Sequence, residues 1–312
     1  MFLQNARLGR NHWWLYLASL IVVIVGVVAG QMPIYLLLLF KGYDGWEISE
    51  MTETLNFEAA GIGQNLTLFF MLLAFVGGLV GLWFSVVFIH KKKFRWLITP
   101  SWRVNWRKVL LGFGLWMLLT MVAELILYAI HPENYELHFQ PDKFPGLLLI
   151  SLLIFPLQTS WEELMFRGYI MQGTSLLVPF RWVPLVFTSL LFGLLHMMNE
   201  EVSAFGVAPT MVYYIGTGLF LGVITLMDDS LELALGVHAA TNIYSSLFVT
   251  FEASSLKTAA LFEMKYVDMN EMLIAFFAIA FVFILIVSRK NKWSNWAARC
   301  LGPVRAQPIE QV

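Results

Sequence analysis

Eight stretches of this chain stay apolar for roughly 20 residues with few charges, the length a helix needs to cross a hydrocarbon core of about 30 Å. They run over residues 13–40, 62–89, 109–130, 145–170, 183–198, 207–227, 231–251 and 272–288, the fifth and eighth being short. The pattern predicts an all-α polytopic membrane bundle of about eight transmembrane helices, because lipid offers an unpaired peptide group no partner. Composition agrees: 59% of residues are hydrophobic and 13% charged, more apolar side chain than a polar shell could cover in water. A soluble enzyme is excluded. A formal net charge of −1 gives no basic field for nucleic acid, and the single Cys300 excludes an intrachain disulfide and a multi-cysteine metal site.

Charge orients the spans. Arg7 and Arg10 precede the first, which is too long for a signal peptide and lacks a clear cleavage site, so it reads as an uncleaved anchor. Lys91, Lys92, Lys93, Arg95, Arg103, Arg107 and Lys108 lie between the second and third spans, and Arg289, Lys290, Lys292, Arg299 and Arg305 follow the last. The connection after the first span instead holds Lys41 against Asp44, Glu47, Glu50, Glu53 and Glu58. The positive-inside bias then puts both termini in the cytoplasm. Residues 42–60, with Trp46, Ile48, Met51, Leu55 and Phe57 at mixed spacing, are expected as a short helix on the outer surface. Without a visible internal repeat, residues 1–312 read as one integral membrane domain. Its parts are N-terminal spans of unassigned role over 1–140, a core over 145–250, and a last span with a basic tail over 251–312. Short loops and no organelle signal suit a multi-pass protein of a bacterial inner membrane. Residues 307–312 are not a prenylation signal.

Ionisable groups inside spans are costly, so each needs a partner or a function. Here they concentrate in three spans, as Glu162, Glu163 and Arg167 in the fourth, His196 in the fifth, and His238 with Asn242 in the seventh. Residues four apart share a helix face, so Glu163 can pair with Arg167, and His238 and Asn242 point the same way. Glu162 is turned about 100° from Glu163, leaving one carboxylate held by arginine while the other faces a cavity. Adjacent acids in unlike surroundings suit general acid/base chemistry. The structural alternative is a self-neutralising ion pair plus interhelical hydrogen bonds. Glu124 has no sequence-local partner, and Asp228 and Asp229 are expected at a water interface. Counting 1.5 Å per residue puts Glu162 roughly 12 Å, His238 roughly 10 Å and Asn242 roughly 16 Å from the cytoplasmic ends of their spans, but His196 roughly 20 Å. Gly168, Gly173, Gly193, Gly216, Gly218, Gly222 and Gly236 could either loosen a cavity or serve ordinary close packing.

The segments Glu162-Glu163-x-x-x-Arg167, Phe192-x-x-x-His196 and His238-x-x-x-Asn242 occur in order within the fourth, fifth and seventh spans. Together they resemble the motifs of the CAAX prenyl protease and bacteriocin-processing (CPBP or Abi) family, intramembrane endopeptidases that include the Ras-converting CAAX endopeptidase. The resemblance covers residues 145–250. It implies a hydrolase in which Glu162, as general base, and His196 activate water, while His238 and Asn242 donate to the tetrahedral oxyanion. Glu163 with Arg167 would brace the helix, and Phe192 would shape the wall beside His196. It also implies a glutamic-type protease with no metal or other cofactor. The alternative is a zinc enzyme with Glu162, His196 and His238 as ligands. The expected partners are the lipid bilayer and a peptide or protein substrate entering from the membrane or cytoplasmic leaflet, prenylated or a small exported peptide. Oligomeric state is not legible. Rival readings are a transporter with a buried proton path and a non-enzymatic scaffold or immunity protein. The absence of repeats counts against the first and the intact motifs against the second.

Overall fold

The computed structural model describes residues 1–53, 57–256 and 258–304, so Leu55, Arg305 and residues 307–312 lie outside it. A 3₁₀ turn over Phe2–Arg7 leads into α1 (Trp13–Phe40), the short α2 (Gly45–Glu53) and α3 (Gln64–Phe84), which runs on through a π-helical turn at Ser85–Ile89. α4 (Trp106–Ile130) and β1 (Tyr135–Leu137) precede α5 (Phe144–Leu153) and α6 (Phe155–Glu163). α6 continues through a second π-helical stretch, Leu164–Ile170, into α7 (Met171–Thr174). Then come α8 (Trp182–Leu195), α9 (Glu200–Phe205), α10 (Val207–Asp228) and α11 (Glu232–Leu247). β2 (Val249–Phe251), β3 (Phe262–Met264), α12 (Met269–Lys290) and α13 (Trp296–Cys300) are the last elements among the described residues.

The all-α membrane bundle holds, with a revised count. Among the described residues six helical segments are long and apolar enough to cross a membrane: 13–40, 64–89, 106–130, 144–174, 207–228 and 269–290. The expected fifth and seventh spans are shorter. α8 has 14 residues and α11 has 16, which at 1.5 Å each give about 21 and 24 Å, less than a hydrocarbon core. α11 is buried along most of its length, so its neighbours, not lipid, set its extent. α2 forms where a surface helix was expected, and Ile48 packs with Ile34, Leu38 and Ile62.

Small residues set the helix spacing. α1 and α3 meet where Gly26 and Gly30 lie against Gly77 and Gly81, so a side chain at either pair would strike the opposing backbone. α4 and α11 approach in the same way, Gly112 against Leu233 and Gly236 against Val109. Gly168, Gly173, Gly193, Gly216, Gly218 and Gly222 each face a neighbouring segment at packing distance, which favours the close-packing reading over a loosened cavity. Trp116 of α4 stacks on Phe220 of α10 at 4.9 Å and meets Phe276 and Phe283 of α12 edge-on. The first 140 residues thus supply part of the core against which the motif-bearing helices pack.

The two ends of the bundle differ. At one, β1 pairs antiparallel with β3 (Tyr135 opposite Met264), and β3 pairs parallel with β2, giving the order β1-β3-β2. At the other, the connections rich in Lys and Arg converge. Asn5 donates to the Trp96 carbonyl, Lys108 pairs with Asp228 at 2.8 Å, Asn291 donates to the same carboxylate, and Arg299 donates to the Met227 carbonyl.

Candidate active site

Pro156 has no N–H to continue the helical ladder, and the chain breaks between α5 and α6 at Ile154. α6 restarts with Gln158, Glu162 and Glu163 buried. Beyond Glu163 the helix widens into its π-helical stretch, a local departure from the α ladder that often accompanies functional sites. Arg167 lies in that stretch and donates through Nη1 to Glu163 Oε1 at 2.7 Å. Its Nη2 donates to the Gly218 carbonyl of α10 at 3.2 Å, and its guanidinium carbon lies 4.7 Å from the Phe192 ring centroid of α8. One fully buried cation therefore joins three helices.

His238 of α11 stands between the two carboxylates. Nδ1 is 2.7 Å from Glu163 Oε1, and Nε2 is 3.3 Å from Glu162 Oε2. When both ring nitrogens carry protons, the imidazolium and Arg167 balance the two carboxylates and the buried set is neutral. Glu162 has different surroundings from its neighbour. Its Oε1 accepts from Gln158 Nε2 at 2.8 Å, and the Oε1 of that amide accepts from Asn242 Nδ2, also at 2.8 Å. The Glu163 side chain is fully buried, whereas Glu162 retains 9% exposure. The two carboxylates differ in degree: Glu163 is held by arginine and histidine, while Glu162, expected to face a cavity, is also buried, with histidine helping to hold both.

His196 is the C-cap residue of α8 and joins the group through Phe192, whose ring centroid lies 4.5 Å from that of His196 and 6.1 Å from that of His238. Its backbone N–H turns to the Gly193 carbonyl, leaving the Phe192 carbonyl free of its usual helical donor. The ring Nδ1 fills that role at 2.6 Å. A carbonyl only accepts, so Nδ1 carries a proton, and in the neutral ring Nε2 is the lone-pair nitrogen. Tyr214 of α10 stacks on the imidazole with centroids 4.2 Å apart and 24° between planes, and Phe192 covers it at 4.5 Å.

The alternative zinc set of Glu162, His196 and His238 does not assemble as a coordinating cluster. No group of three His, Cys, Asp or Glu at metal-binding geometry occurs among the described residues. Both nitrogens of His238 face carboxylates, and Nδ1 of His196 is held by its own helix. Glu124 does have partners, accepting from Tyr135 at 2.6 Å and bonding Tyr244. Asp228 and Asp229 are structural, the former on Lys108, Ser230 and Asn291, the latter on the Phe2 N–H.

Residues 144–244, which carry all three motifs, match the family described as Rce1-like, type II CAAX prenyl endopeptidase. A curated relative, "Uncharacterized protein YyaK" of Bacillus subtilis (strain 168), is 32% identical over 247 residues, spanning 78% of this chain and 80% of its own. The chain belongs to the Rce1-like family. It is accordingly a multi-pass protein of an intramembrane, CAAX-type protease family. No solved structure matches the chain.

Two polar neighbours of the Rce1-like motifs escaped the sequence reading. Gln158 lies four residues before Glu162, the same spacing that paired Glu163 with Arg167, so the same-face rule could have found it. Tyr214 carries no such signal, because an aromatic residue in an apolar helix looks like any other packing group.

Proposed function

We propose that this chain hydrolyses a peptide bond of a membrane-associated peptide by a water that Glu162 activates, without a metal. The observation that carries the reading is the unequal treatment of adjacent buried carboxylates. Glu163 shares one oxygen between Arg167 and His238 at 2.7 Å each, while Glu162 accepts from the neutral amide of Gln158, has only a longer 3.3 Å contact with His238, and keeps some exposure. Glu162 takes a proton as the water oxygen bonds to the peptide carbon, and His196 Nε2 accepts a hydrogen bond from the same water. His238, anchored by Nδ1 on Glu163, turns its longer Nε2 contact from Glu162 to the developing oxyanion. Asn242 has a second N–H beyond the one spent on Gln158, and donates it to the same oxygen. One such donor is worth about 3 kcal/mol of barrier in a site of this kind. The C–N bond then breaks and Glu162 returns its proton to the amine. Substrates are peptides reaching the site from the bilayer or its cytoplasmic leaflet, prenylated near the C-terminus or small and exported. The host membrane is a bacterial inner membrane with the basic end of the bundle inside, following the positive-inside bias.

The test is cleavage of quenched fluorescent peptides, with and without a farnesyl group, by the purified protein and by Glu162→Gln in detergent. Detergent removes any gradient, so a transporter would give no signal. Cleavage by wild type alone, unchanged by a zinc chelator, is expected. Cleavage that disappears on chelation and returns with zinc overturns the metal-free mechanism.

A further inference from the structure

The catalytic proposal leaves unused an open cleft at the basic end, lined by Val87, Phe88, Lys91, Lys92, Lys93 and Trp96. Its two walls have opposite chemistry. Val87 and Phe88 are the last turn of a membrane-spanning segment, and Phe88, like Phe84 and Trp83 before it, is about half exposed on the lipid-facing side. Three consecutive lysines follow at once. Lys91 takes a left-handed φ of 52°, which ends the π-helical turn and starts the lysine wall. Lys92 folds inward, its Nζ on the Ala6 carbonyl at 2.8 Å, and so fixes the loop to the N-terminal segment. Lys91 and Lys93 remain exposed, and none of the three pairs with a carboxylate among the described residues. The Lys93 Nζ lies 5.0 Å from the Trp102 ring and 5.8 Å from the Trp96 ring, which holds that cation at the cleft mouth. The Arg10 backbone exchanges hydrogen bonds with His90, the residue before Lys91, which ties the N-terminal segment to the start of the lysine run.

Unpaired cations at the end of an apolar span, with an apolar wall running from them into the hydrocarbon region, match a molecule with an anionic head and acyl tails. We propose that this cleft is a binding site for an anionic phospholipid, its phosphate on Lys91 and Lys93 and an acyl chain along Val87 and Phe88. Basic pockets beside membrane helices recognise such headgroups through charge, and each cation near the surface contributes appreciably. A soluble phosphate would use the lysines but not the apolar wall.

Native mass spectrometry of the full chain in detergent, titrated with phosphatidylglycerol or phosphatidylcholine of identical acyl chains, tests the site. Phosphatidylglycerol is expected to bind about 30-fold more tightly, the preference given by two surface cations. Lys91→Asn with Lys93→Gln, Asn being tolerant of the left-handed φ, should abolish that preference. Lys91→Arg with Lys93→Arg should keep it, and removing equal charge elsewhere on this end (Arg103→Gln with Arg107→Gln) should leave it unchanged. Equal binding of the two lipids overturns the proposal. So does an equal loss in the Arg103 and Arg107 variant, which would mean diffuse attraction and not a site. Displacement of the lipid by inorganic phosphate alone would assign the cleft to a soluble anion and equally refute it.

Discussion

Gln158 offers the sharpest perturbation of the proposed chemistry, because it touches Glu162 without being one of the motif residues. Its amide donates to Glu162 Oε1 and accepts from Asn242, so it links the proposed base to a proposed oxyanion donor. Gln158→Leu keeps comparable volume in a buried position while deleting both bonds. A hydrogen bond to a charged acceptor is worth about 1.5–3 kcal/mol. Lost from a base whose position matters only in the transition state, that energy lowers kcat by about 10- to 150-fold with KM little changed. Asn242→Ala removes the other end of the chain of bonds. If the three side chains act as one unit, the double variant should fall short of the product of the single losses, by a coupling of about 1 kcal/mol or more. The assay is steady-state cleavage of a quenched peptide by the four proteins, each matched for thermal stability. Activity of Gln158→Leu within twofold of wild type, or losses that simply multiply, would refute the linkage.

Other consequences follow from the same contacts. Arg167→Leu leaves Glu163 buried with only His238 for a partner and should destabilise the fold by about 3–5 kcal/mol in an unfolding titration, whereas an exposed ion pair would cost under about 1 kcal/mol. A near-wild-type midpoint would show that Arg167 contributes little to the packing of its three helices. Tyr214→Leu removes the ring stacked on His196 and is expected to lower kcat/KM by about tenfold, the value of one aromatic pair, with the melting temperature nearly unchanged. The opposite pattern would make Tyr214 a packing residue only. Lys92 is pulled down to about 8 from 10.5 by burial, so the native state gives up this proton before the unfolded chain does. The resulting penalty is complete below about pH 8 and fades toward pH 10.5. Wild type should therefore gain stability over that window relative to Lys92→Met. Identical pH slopes for the two proteins would contradict the assignment.

Much of this arrangement is legible before any coordinates, for reasons that differ between residues. Trp13–Phe40 is legible because a long, charge-free and mostly apolar run has no other stable state in lipid. The Glu163–Arg167 pair follows from helical spacing alone. α8 and α11 are overestimated because hydropathy measures lipid compatibility, and a helix enclosed by others is just as apolar without needing to span. The π-helical stretch after Glu163 leaves no trace in the periodicity, so the course of Arg167 toward Gly218 and Phe192 cannot be read from spacing. The grouping of His238 with the two glutamates also depends on how α11 packs against α6, a contact between segments about 75 residues apart. The motifs name these residues together, but the sequence does not say that one imidazole lies between both carboxylates.

The central claim is that Glu162 drives attack of water on an internal peptide bond, and the products report on it directly. A peptide substrate incubated in ¹⁸O-water with wild type or Glu162→Gln, then analysed by mass spectrometry, should give two fragments only with wild type. A single ¹⁸O should appear in the new C-terminal carboxylate. The same fragments formed at the same rate by Glu162→Gln would contradict the account.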